Sequence, residues 1–508
     1  MPNVATPSPT RAPLPDAAVR SIIAGLALAI FLGALDQTIV SVSLQSISEQ
    51  LHGFEIVAWV VAGYLVASTV ITPIYGKLAD LFGARALLSF AIGLFLVASI
   101  GCALAQTMPQ LIAARILQGL GGGGLISLAQ AVIPQVVSLR ERGRYQGYFS
   151  GVYALASVGG PVVGGYLTHY LSWRWVFWIN VPIGVAALLV SRRALARLPV
   201  LGRDPHIDYV GALLLTLGLA AVLIAVTRVG QGVAWHAPSN LSVFGAGVAI
   251  LMVSAWHERR AREPILPLAL LKIPAMALSC AILFIAFFQL VSLAALMPLR
   301  FEILGGAGAD EAGLRLVPLT LGIALGAYTA GKLMMLTGHY KRTQLIGALL
   351  VPLALLAIAL TNSDGTLLIS VFMATAGFAL GLQIPTALVA AQNAVPLENI
   401  GVATASISFF RSLGGAVGIA LLGAVLLVLL REHAPGPASE LPGGEMMQDV
   451  IGRAVTSADP TARLPLLQTV ETAFRRLLLI GAAISLLSVP LTALVREQRI
   501  RGSAPTSL

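Results

Sequence analysis

The chain has few charged residues and almost no cysteine. Asp, Glu, Lys and Arg make up 11% of its 508 residues, against about 25% in a typical globular domain, so a soluble multidomain enzyme would lack polar surface. Cys102 and Cys280 are the only cysteines, which excludes a disulfide framework, and we expect both to be buried small hydrophobes. Apolar residues are abundant at 57%, which excludes a disordered chain.

Motifs of catalysis and cofactor binding are also missing. The seven histidines fall in loops or at the ends of apolar runs, and no pair has the helical spacing of metal ligands. There is no nucleophile elbow and no Walker sequence, and the glycines at 119 and 121–124 lack the Lys-Ser/Thr that completes a phosphate loop. We therefore predict a protein that is not an enzyme and binds no metal or cofactor, so that any energy comes from an ion gradient.

Long apolar runs, each about the length of a membrane-crossing helix, recur fourteen times. The predicted spans are 21–44, 57–75, 86–105, 110–133, 146–168, 174–191, 209–227, 240–256, 275–298, 313–336, 344–361, 366–391, 402–430 and 477–495. Residues 1–19 are rich in proline and predict a disordered tail. The longest polar stretch, 431–476, predicts an external loop before the last and weakest span. The sequence therefore indicates an all-α integral membrane protein.

The basic residues fall mainly on one side of these spans. With the N-terminus inside, most of the 32 Lys and Arg lie in the cytoplasmic connections and tails, as the positive-inside rule requires. The net charge of +10 thus marks a membrane face and predicts no nucleic-acid partner. Both termini are predicted to be cytoplasmic.

Two short sequences recur at the same separation. Gly-Lys-Leu at 76–78, with Gly83 after it, returns at 331–333 with Gly338, and Ser-x-Gly-Gly at 157–160 returns at 412–415. The repeat relates spans 1–6 to spans 9–14 in parallel orientation, which is a transporter architecture with its site between the halves. The predicted units are an N-terminal six-helix bundle (20–200), an inserted helix pair (201–265), a C-terminal six-helix bundle (266–496) and a cytoplasmic tail (497–508).

Asp36 is an acidic residue well inside a span, about 24 Å along the helix from Arg20 at 1.5 Å per residue. A carboxylate there is costly and indicates function, and the low dielectric favours its protonated form. A structural carboxylate satisfied by a neighbouring helix is the alternative. Arg115, at a comparable depth in the fourth span, is its expected partner, unless it packs against backbone carbonyls. Arg411 could snorkel to the cytoplasm or face the cavity.

The remaining polar residues of the spans are few, which suits an amphipathic substrate better than a sugar. The side chains expected to line the substrate cavity are Gln37, Tyr64, Gln118, Tyr153, Gln289, Gln383 and Arg411.

Small residues allow helices to approach closely, and Pro161 interrupts a helix hydrogen bond. The fifth span is therefore expected to hold a hinge or a tight seam.

The first short cytoplasmic loop, 76–85, carries charges that could meet those of the next cytoplasmic loop. Such a latch would hold one conformation closed and open in the other, as alternating access requires, whereas the simpler alternative is a solvated positive-inside loop. Its expected members are Gly76, Asp80, Gly83, Arg85, Glu141 and Arg144.

Several motifs, in one order along the chain, resemble those of the fourteen-helix drug:proton antiporter branch of the major facilitator superfamily. They are the loop 76–85, the first-helix stretch Leu-Asp-Gln-Thr-Ile-Val at 35–40, Arg-Ile-Leu-Gln-Gly at 115–119, the glycine-rich stretch 159–165 and Trp-Arg-Trp-Val-Phe-Trp-Ile-Asn-Val-Pro-Ile-Gly at 173–184. The resemblance implies two six-helix bundles with an inserted pair, and proton-driven export with Asp36 coupling and Arg115 assisting. It implies that Gly160, Pro161, Gly164 and Gly165 form the antiporter motif.

The resemblance further implies multidrug efflux of amphipathic or cationic compounds across a bacterial inner membrane. The expected partners are a small substrate, protons and the lipid bilayer, while the need for a periplasmic adaptor and an outer-membrane channel stays open. A dedicated exporter of one endogenous metabolite or lipid is the alternative, and a non-transporting receptor, expected to carry a large soluble domain, is a third. Two departures from the family pattern, at 41–45 and 300–302, lie where substrate is expected to pass.

Overall fold

The computed structural model of the protein describes most of the chain between residues 15 and 499. The described ranges are 15–53, 56–137, 139–196, 208–230, 237–261, 269–306, 309–362, 365–396, 399–433 and 460–499, together with residue 233. Within these ranges the regular structure is helical, with no strand. Both cysteines are buried, as expected.

The helices of the N-terminal half and of the inserted pair follow the predicted spans closely. They are α1 (Asp16–Ile39), α2 (Leu44–Leu51), α3 (Ala58–Phe82), α4 (Ala84–Leu104), α5 (Met108–Val136), α6 (Leu139–Tyr170), α7 (Trp175–Trp178), α8 (Asn180–Leu195), α9 (Tyr209–Gly230) and α10 (Pro238–Glu258).

The C-terminal half contains the remaining eight helices of the described chain. They are α11 (Pro274–Gly305), α12 (Ala309–Leu314), α13 (Val317–Thr337), α14 (Lys341–Leu360), α15 (Thr366–Ala394), α16 (Ile400–His433), α17 (Pro460–Leu486) and α18 (Ser488–Leu494).

Thirteen helical stretches of the described chain are long and apolar enough to cross a membrane. The predicted fifth span, 146–168, lies within α6, a helix of 32 residues, but α6 is not among the thirteen. Its glycines and polar residues lower its hydropathy, and it packs against α1 on one side and α13 on the other. A helix that meets other helices along two faces needs fewer lipid-compatible side chains than a peripheral one.

The last span begins earlier than the sequence predicts. The expected external loop, 431–476, is helical at both ends, because α16 continues to His433 and α17 begins at Pro460. Val470 and Phe474 are buried in a cluster with Leu426 and Leu430 of α16. The charged residues at 471, 475 and 476 conceal this apolar face in a hydropathy window. The middle of the predicted loop, 434–459, lies outside the described residues.

The short sequence repeat extends to a repeat of helix packing. In the N-terminal half α1 packs on α6 and α8, and α5 packs on α3 and α4; in the C-terminal half α11 packs on α16 and α17, and α15 packs on α13 and α14. Gly83 and Gly338 cap α3 and α13 with φ values of 83° and 70°, a backbone region in which glycine carries no steric penalty. The two halves therefore share one arrangement of helices.

The halves meet along two symmetric seams. One joins α3 to α16, and the other joins α6 to α13. These are the four helices that carry the repeated sequences, and each packs against a helix of the other half that carries the other repeat. The inserted helix α9 packs against α3 and α16, and α10 packs mainly against α9. The inserted pair therefore lies beside the first seam.

Candidate functional site

Asp36 lies near the C-terminal end of α1 and is fully buried. Its carboxylate accepts three hydrogen bonds, from Arg115 Nη1 at 2.7 Å, Gln118 Nε2 at 2.9 Å and Asn180 Nδ2 at 2.9 Å. These donors belong to α5 and to the first residue of α8. The charge of one carboxylate thus ties three helices of the N-terminal half together.

Arg115 is held on its other sides as well. Its Nε donates to the carbonyl oxygen of Val60 on α3 at 3.0 Å, and its Nη1 also donates to Gln118 Oε1 at 2.7 Å. The guanidinium carbon lies 4.3 Å from the ring centre of Tyr64 and 5.8 Å from that of Phe177, within reach of a cation–π attraction. The two roles weighed for Arg115, carboxylate partner and carbonyl packing, occur together in this structure.

This ion pair is electrostatically costly to break from one side. Asp36 is 0% and Arg115 1% exposed, so removing one charge leaves the other uncompensated in a low dielectric, which costs about 3–5 kcal/mol in buried pairs. Protonation of Asp36 removes its charge without changing its size. The charge of Asp36 therefore stabilises the packing of α1, α5 and α8.

Asn180, Ser99 and Phe177 complete the site, and the sequence reasoning gave them no role. Asn180 Nδ2 also donates to Ser99 Oγ at 3.1 Å, and Ser99 Oγ donates to the carbonyl oxygen of Phe177 at 3.0 Å. The available signal was the stretch 173–184, because Asn180 is a neutral polar residue in an otherwise apolar span. The break between α7 and α8 at Ile179 brings Phe177 over Arg115 and Asn180 to Asp36.

Trp173 and Arg174, from the same stretch, close the side of the site beyond the C-terminal end of α1. Trp173 is fully buried and donates from Nε1 to Gln50 Oε1 at 2.8 Å. Arg174 donates to the carbonyl oxygen of Ala105 at 3.0 Å and lies 4.4 Å from the Trp173 ring centre. These contacts tie α2, the α4–α5 turn and α7 together above Asp36.

A polar path leads from Asp36 toward the seam between the halves. Tyr153 of α6 donates to Oε1 of Gln37, the residue after Asp36, at 3.4 Å. Arg411 of α16 donates across the halves to Gln130 Oε1 of α5, also at 3.4 Å. Of the predicted cavity residues, Tyr64 and Gln118 contact Arg115, Tyr153 contacts Gln37, and Arg411 contacts α5 farther along, at Gln130.

Gln289 and Gln383 are placed elsewhere. Gln289 accepts a hydrogen bond from Ser485 of α17 at 3.3 Å, and Gln383 packs beside Gly347 of α14. Both side chains are buried, and these neighbours belong to the C-terminal half. Both glutamines therefore lie on the faces of α11 and α15 that pack inside the C-terminal half, and not on the faces toward the seam.

The glycine-rich stretch 159–165 forms a tight seam between α6 and α1. A Cβ added at Gly160 would collide with the side chain of Thr38, and one at Gly164 would lie 2.7 Å from the carbonyl oxygen of Ile39. Thr38 Oγ1 donates to the carbonyl oxygen of Ala156 at 3.1 Å. Pro161 lies inside α6, and a Cβ added at Gly165 would make only ordinary contact, with Val42 beyond the end of α1. Thr38 and Ile39 place the seam within one helical turn of Asp36.

The glycines of α5 serve the same purpose between α3 and α4. A Cβ at Gly119 would lie 2.5 Å from the carbonyl oxygen of Tyr64, and one at Gly121 would lie 2.6 Å from the amide nitrogen of Phe95. The run therefore allows α5, which carries Arg115, to lie against two neighbours.

The predicted cytoplasmic latch is only partly described. Gly76 lies in α3, Gly83 ends that helix, and the Arg85 and Glu141 side chains are exposed. Asp80 and Arg144 belong to helices, but their side chains lie outside the described part of the structure. The latch therefore stays a prediction.

The two departures from the family pattern have separate environments. Ser43 Oγ lies 2.7 Å from Thr168 Oγ1 of α6, which extends the α1–α6 seam. Arg300 is 4% exposed and lines a cavity of about 240 Å³ with Glu471 and Arg475 of α17. All residues lining this cavity belong to the C-terminal half, so Arg300 lies away from the seam where substrate was expected to pass.

Among the described residues, no group of three or more His, Cys, Asp or Glu side chains is arranged to hold a metal ion.

Comparison with known proteins places this architecture in a family. The sequence model of the Major Facilitator Superfamily matches residues 26–419. The chain is 34% identical over 407 residues to the multidrug transporter protein MdtP of Bacillus subtilis, covering 80% of this chain and 75% of that protein. It is 31% identical over 411 residues to multidrug resistance protein 3 of the same organism, covering 81% and 80%.

An uncharacterised MFS-type transporter of Mycobacterium tuberculosis is 35% identical over 437 residues, which cover 84% of this chain but 63% of that protein. The chain therefore spans less than two thirds of that relative's length.

Two solved structures share the fold. The human organic anion transporter MFSD10 superimposes with a TM-score of 0.64 at 14% identity, covering 94% of this chain and 100% of that one. The proton:xylose symporter XylE superimposes with a TM-score of 0.63 at 15% identity, covering 95% and 96%. The chain belongs to the major facilitator superfamily, and its relatives include proteins named as a multidrug transporter and a multidrug resistance protein.

Proposed function

We propose that the protein is a proton-coupled antiporter that exports amphipathic compounds by alternating access. The observation that carries the proposal is the fully buried carboxylate of Asp36, held by donors from α5 and α8. An ionisable residue at this depth is rare and marks proton relays in transporters. Relatives named as multidrug transporters support export as the direction.

In the proposed cycle the proton and the substrate compete through the charge of Asp36. The ionised carboxylate holds Arg115, Gln118 and Asn180 together. Protonation from outside removes the charge that attracts Arg115, which loosens the junction of α1, α5 and α8 and favours the inward-opening state. Substrate binding from the cytoplasm or inner leaflet favours loss of the proton, and the restored ion pair favours the outward-opening state. A two-state element biased by both ligands is what coupling requires.

The coupling charge is confined to one half. By position in their helices, Met373 and Ala376 of α15 correspond to Arg115 and Gln118 of α5. Met373 and Ala376 are buried in an apolar cluster with Leu478 and Ala482. We therefore propose that the N-terminal half binds the proton and that the C-terminal half supplies a rigid apolar counterpart.

The proposed setting is a bacterial inner membrane with both termini in the cytoplasm. The C-terminal segment supports the second point, because Lys341 Nζ donates to the carbonyl oxygen of Ala493 at 2.8 Å and Asn393 donates to that of Arg499 at 3.2 Å. The end of the described chain thus lies on the same side as the connection 338–341, which carries the basic residues of the predicted cytoplasmic face.

Uptake into inverted membrane vesicles with an imposed pH gradient tests the proposal. The wild-type protein should accumulate an amphipathic dye only while the gradient lasts, and Asp36→Asn should abolish that accumulation. Glu311→Gln is the matched control, because Glu311 is an exposed carboxylate paired with Arg315 on the surface. Undiminished uptake by Asp36→Asn would remove the coupling role, and a panel of dyes, antibiotics and fatty acids separates a broad exporter from a dedicated one.

A further inference from the structure

A second cation inside a predicted span lies across the seam from the Asp36 site. Arg411 is eleven residues beyond Ile400, roughly 16 Å along α16 from its cytoplasmic end, and its side chain is half-buried. It reaches into the N-terminal half, where Nη1 donates to Gln130 Oε1 at 3.4 Å, and its guanidinium carbon lies 5.0 Å from the ring centre of Phe287. Arg411 therefore lies between the halves and does not snorkel to the cytoplasm.

The charge of Arg411 has no carboxylate partner in the described part of the chain. The ion pairs of that part involve Arg115, His257 and Arg315, and the ionisable group that acts on Arg411 is the phenol of Tyr153. A guanidinium carries five N–H donors, and the described contacts use one, in a long hydrogen bond. Arg115, by contrast, donates three hydrogen bonds and faces a carboxylate.

A cation that is partly withdrawn from water and lacks an anionic partner is unfavourable. The guanidinium of Arg411 is in that position, which indicates that it binds the anionic group of a transient ligand. The surroundings fit an amphipathic one. Phe287 offers an apolar ring beside the guanidinium, and the guanidinium fork matches a carboxylate, sulfonate or phosphate. A cationic substrate would be repelled at the same position.

Arg411 is also linked to the proton site. Tyr153 lies within electrostatic range of Arg411, and its hydroxyl donates to Gln37 next to Asp36. An anion at Arg411 would neutralise the guanidinium that acts on Tyr153, and Tyr153 contacts the residue next to Asp36. Binding of such a substrate and protonation of Asp36 would then influence each other through one tyrosine and one glutamine.

We propose that Arg411 binds the anionic group of the exported molecule, so that the substrate class of this transporter is the amphipathic anion. This proposal rests on the proposed export function. It has an electrical consequence: exchange of a monoanion outward for one proton inward moves two charges across the membrane, whereas exchange of a monocation for one proton moves none.

A pair of fluorescent probes isolates the anionic group. Anilinonaphthalene sulfonate is permanently anionic, and phenylnaphthylamine is the same ring system without the sulfonate. Binding of each is measured to the full chain in nanodiscs of zwitterionic lipid, against empty discs. Arg411→Gln should weaken binding of the sulfonate by about tenfold to a hundredfold, the range of a charge-assisted hydrogen bond, and leave phenylnaphthylamine binding unchanged.

Two further variants keep the test decisive. Arg411→Lys should retain part of the affinity for the sulfonate, because a point charge remains while the two-pronged guanidinium is lost. Arg342→Gln is the control, at an exposed arginine of α14, and should bind both probes as the wild type does. Unchanged phenylnaphthylamine binding shows that the Arg411→Gln protein is folded. Equal sulfonate binding by Arg411→Gln and the wild type would overturn the proposal, as would displacement of the sulfonate by phosphatidylglycerol, which would assign Arg411 to a lipid headgroup.

The proposal and the proton-coupled function on which it rests can fail separately. Asp36→Asn should lose gradient-driven uptake of the sulfonate and keep its binding, whereas Arg411→Gln should lose both. If the wild type transports neither probe against a gradient, the export function fails while the binding comparison still decides the role of Arg411. Sulfonate uptake that ignores an inside-positive potential in inverted vesicles contradicts anion–proton exchange.

Discussion

The buried ion pair makes a quantitative prediction for a double-mutant cycle at Asp36 and Arg115. The two charged atoms are 2.7 Å apart, which at an effective dielectric constant near 20 corresponds to an attraction of about 6 kcal/mol. Desolvation of both groups offsets much of this attraction, whereas removal of one partner leaves the other buried and alone. We therefore expect Asp36→Asn and Arg115→Met each to lower the free energy of unfolding by about 3–5 kcal/mol.

The geometry predicts that the two losses do not add. Asn at position 36 offers an acceptor on one side only, while the site supplies donors from Arg115, Gln118 and Asn180. In the double variant Met fills the space of Arg115 without a charge, and the Asn180 Oδ1 atom, which has no partner among the described atoms, can accept from the new amide. The double variant should therefore be more stable than the sum of the single losses implies, by about 2–3 kcal/mol, near the top of the range for coupled neighbours.

Unfolding by sodium dodecyl sulfate in mixed micelles, followed by circular dichroism, measures these free energies. The four proteins of the cycle must show the same unfolding cooperativity for the comparison to hold. Additivity within about 0.5 kcal/mol, the behaviour of independent sites, would refute the electrostatic reasoning.

Three further outcomes follow from individual contacts. Gly160→Ala should destabilise the protein by about 1–3 kcal/mol and lower transport, because the new methyl group collides with Thr38. Gly159→Ala is the control and should be neutral, since nothing lies within 4 Å of its Cβ position. Thermal unfolding of the two variants checks this difference. Asn180→Ala should weaken gradient-driven uptake at least tenfold, because one of three donors to Asp36 is lost and a hydrogen bond to a charged group contributes about 1.5–3 kcal/mol; normal uptake would make Asn180 a packing residue. Trp173→Phe should destabilise the protein by about 1 kcal/mol, because the hydrogen bond to Gln50 is lost, and should have little effect on dye binding at the seam. A large loss of dye binding would contradict the placement of Trp173 away from the binding site.

The sequence predicts those parts of the molecule in which an unusual residue, or a repeated one, stands out within apolar runs. Asp36 and Arg115 are visible because charges inside apolar runs are rare, and their depths along two helices already match. The halves are visible because the glycines at 83 and 338 end equivalent helices.

Other parts leave no such trace. Asn180 and Ser99 are neutral polar residues of a kind common in membrane helices, and only packing shows that they face Asp36. The direction of Gln289 and Gln383 depends on the rotation of α11 and α15, which the evenly apolar surfaces of these helices do not reveal. The start of α17 is hidden because three charged residues alternate with a buried apolar face.

Substrate-induced proton release from the purified protein tests the central claim most directly. If Asp36 exchanges its proton for substrate, addition of a transported compound to wild-type protein in weakly buffered detergent solution should release protons, up to about one per bound molecule, since Asp36 is the only carboxylate described as buried within either bundle. Asp36→Asn should bind the compound and release none. Equal release from the two proteins would contradict the account.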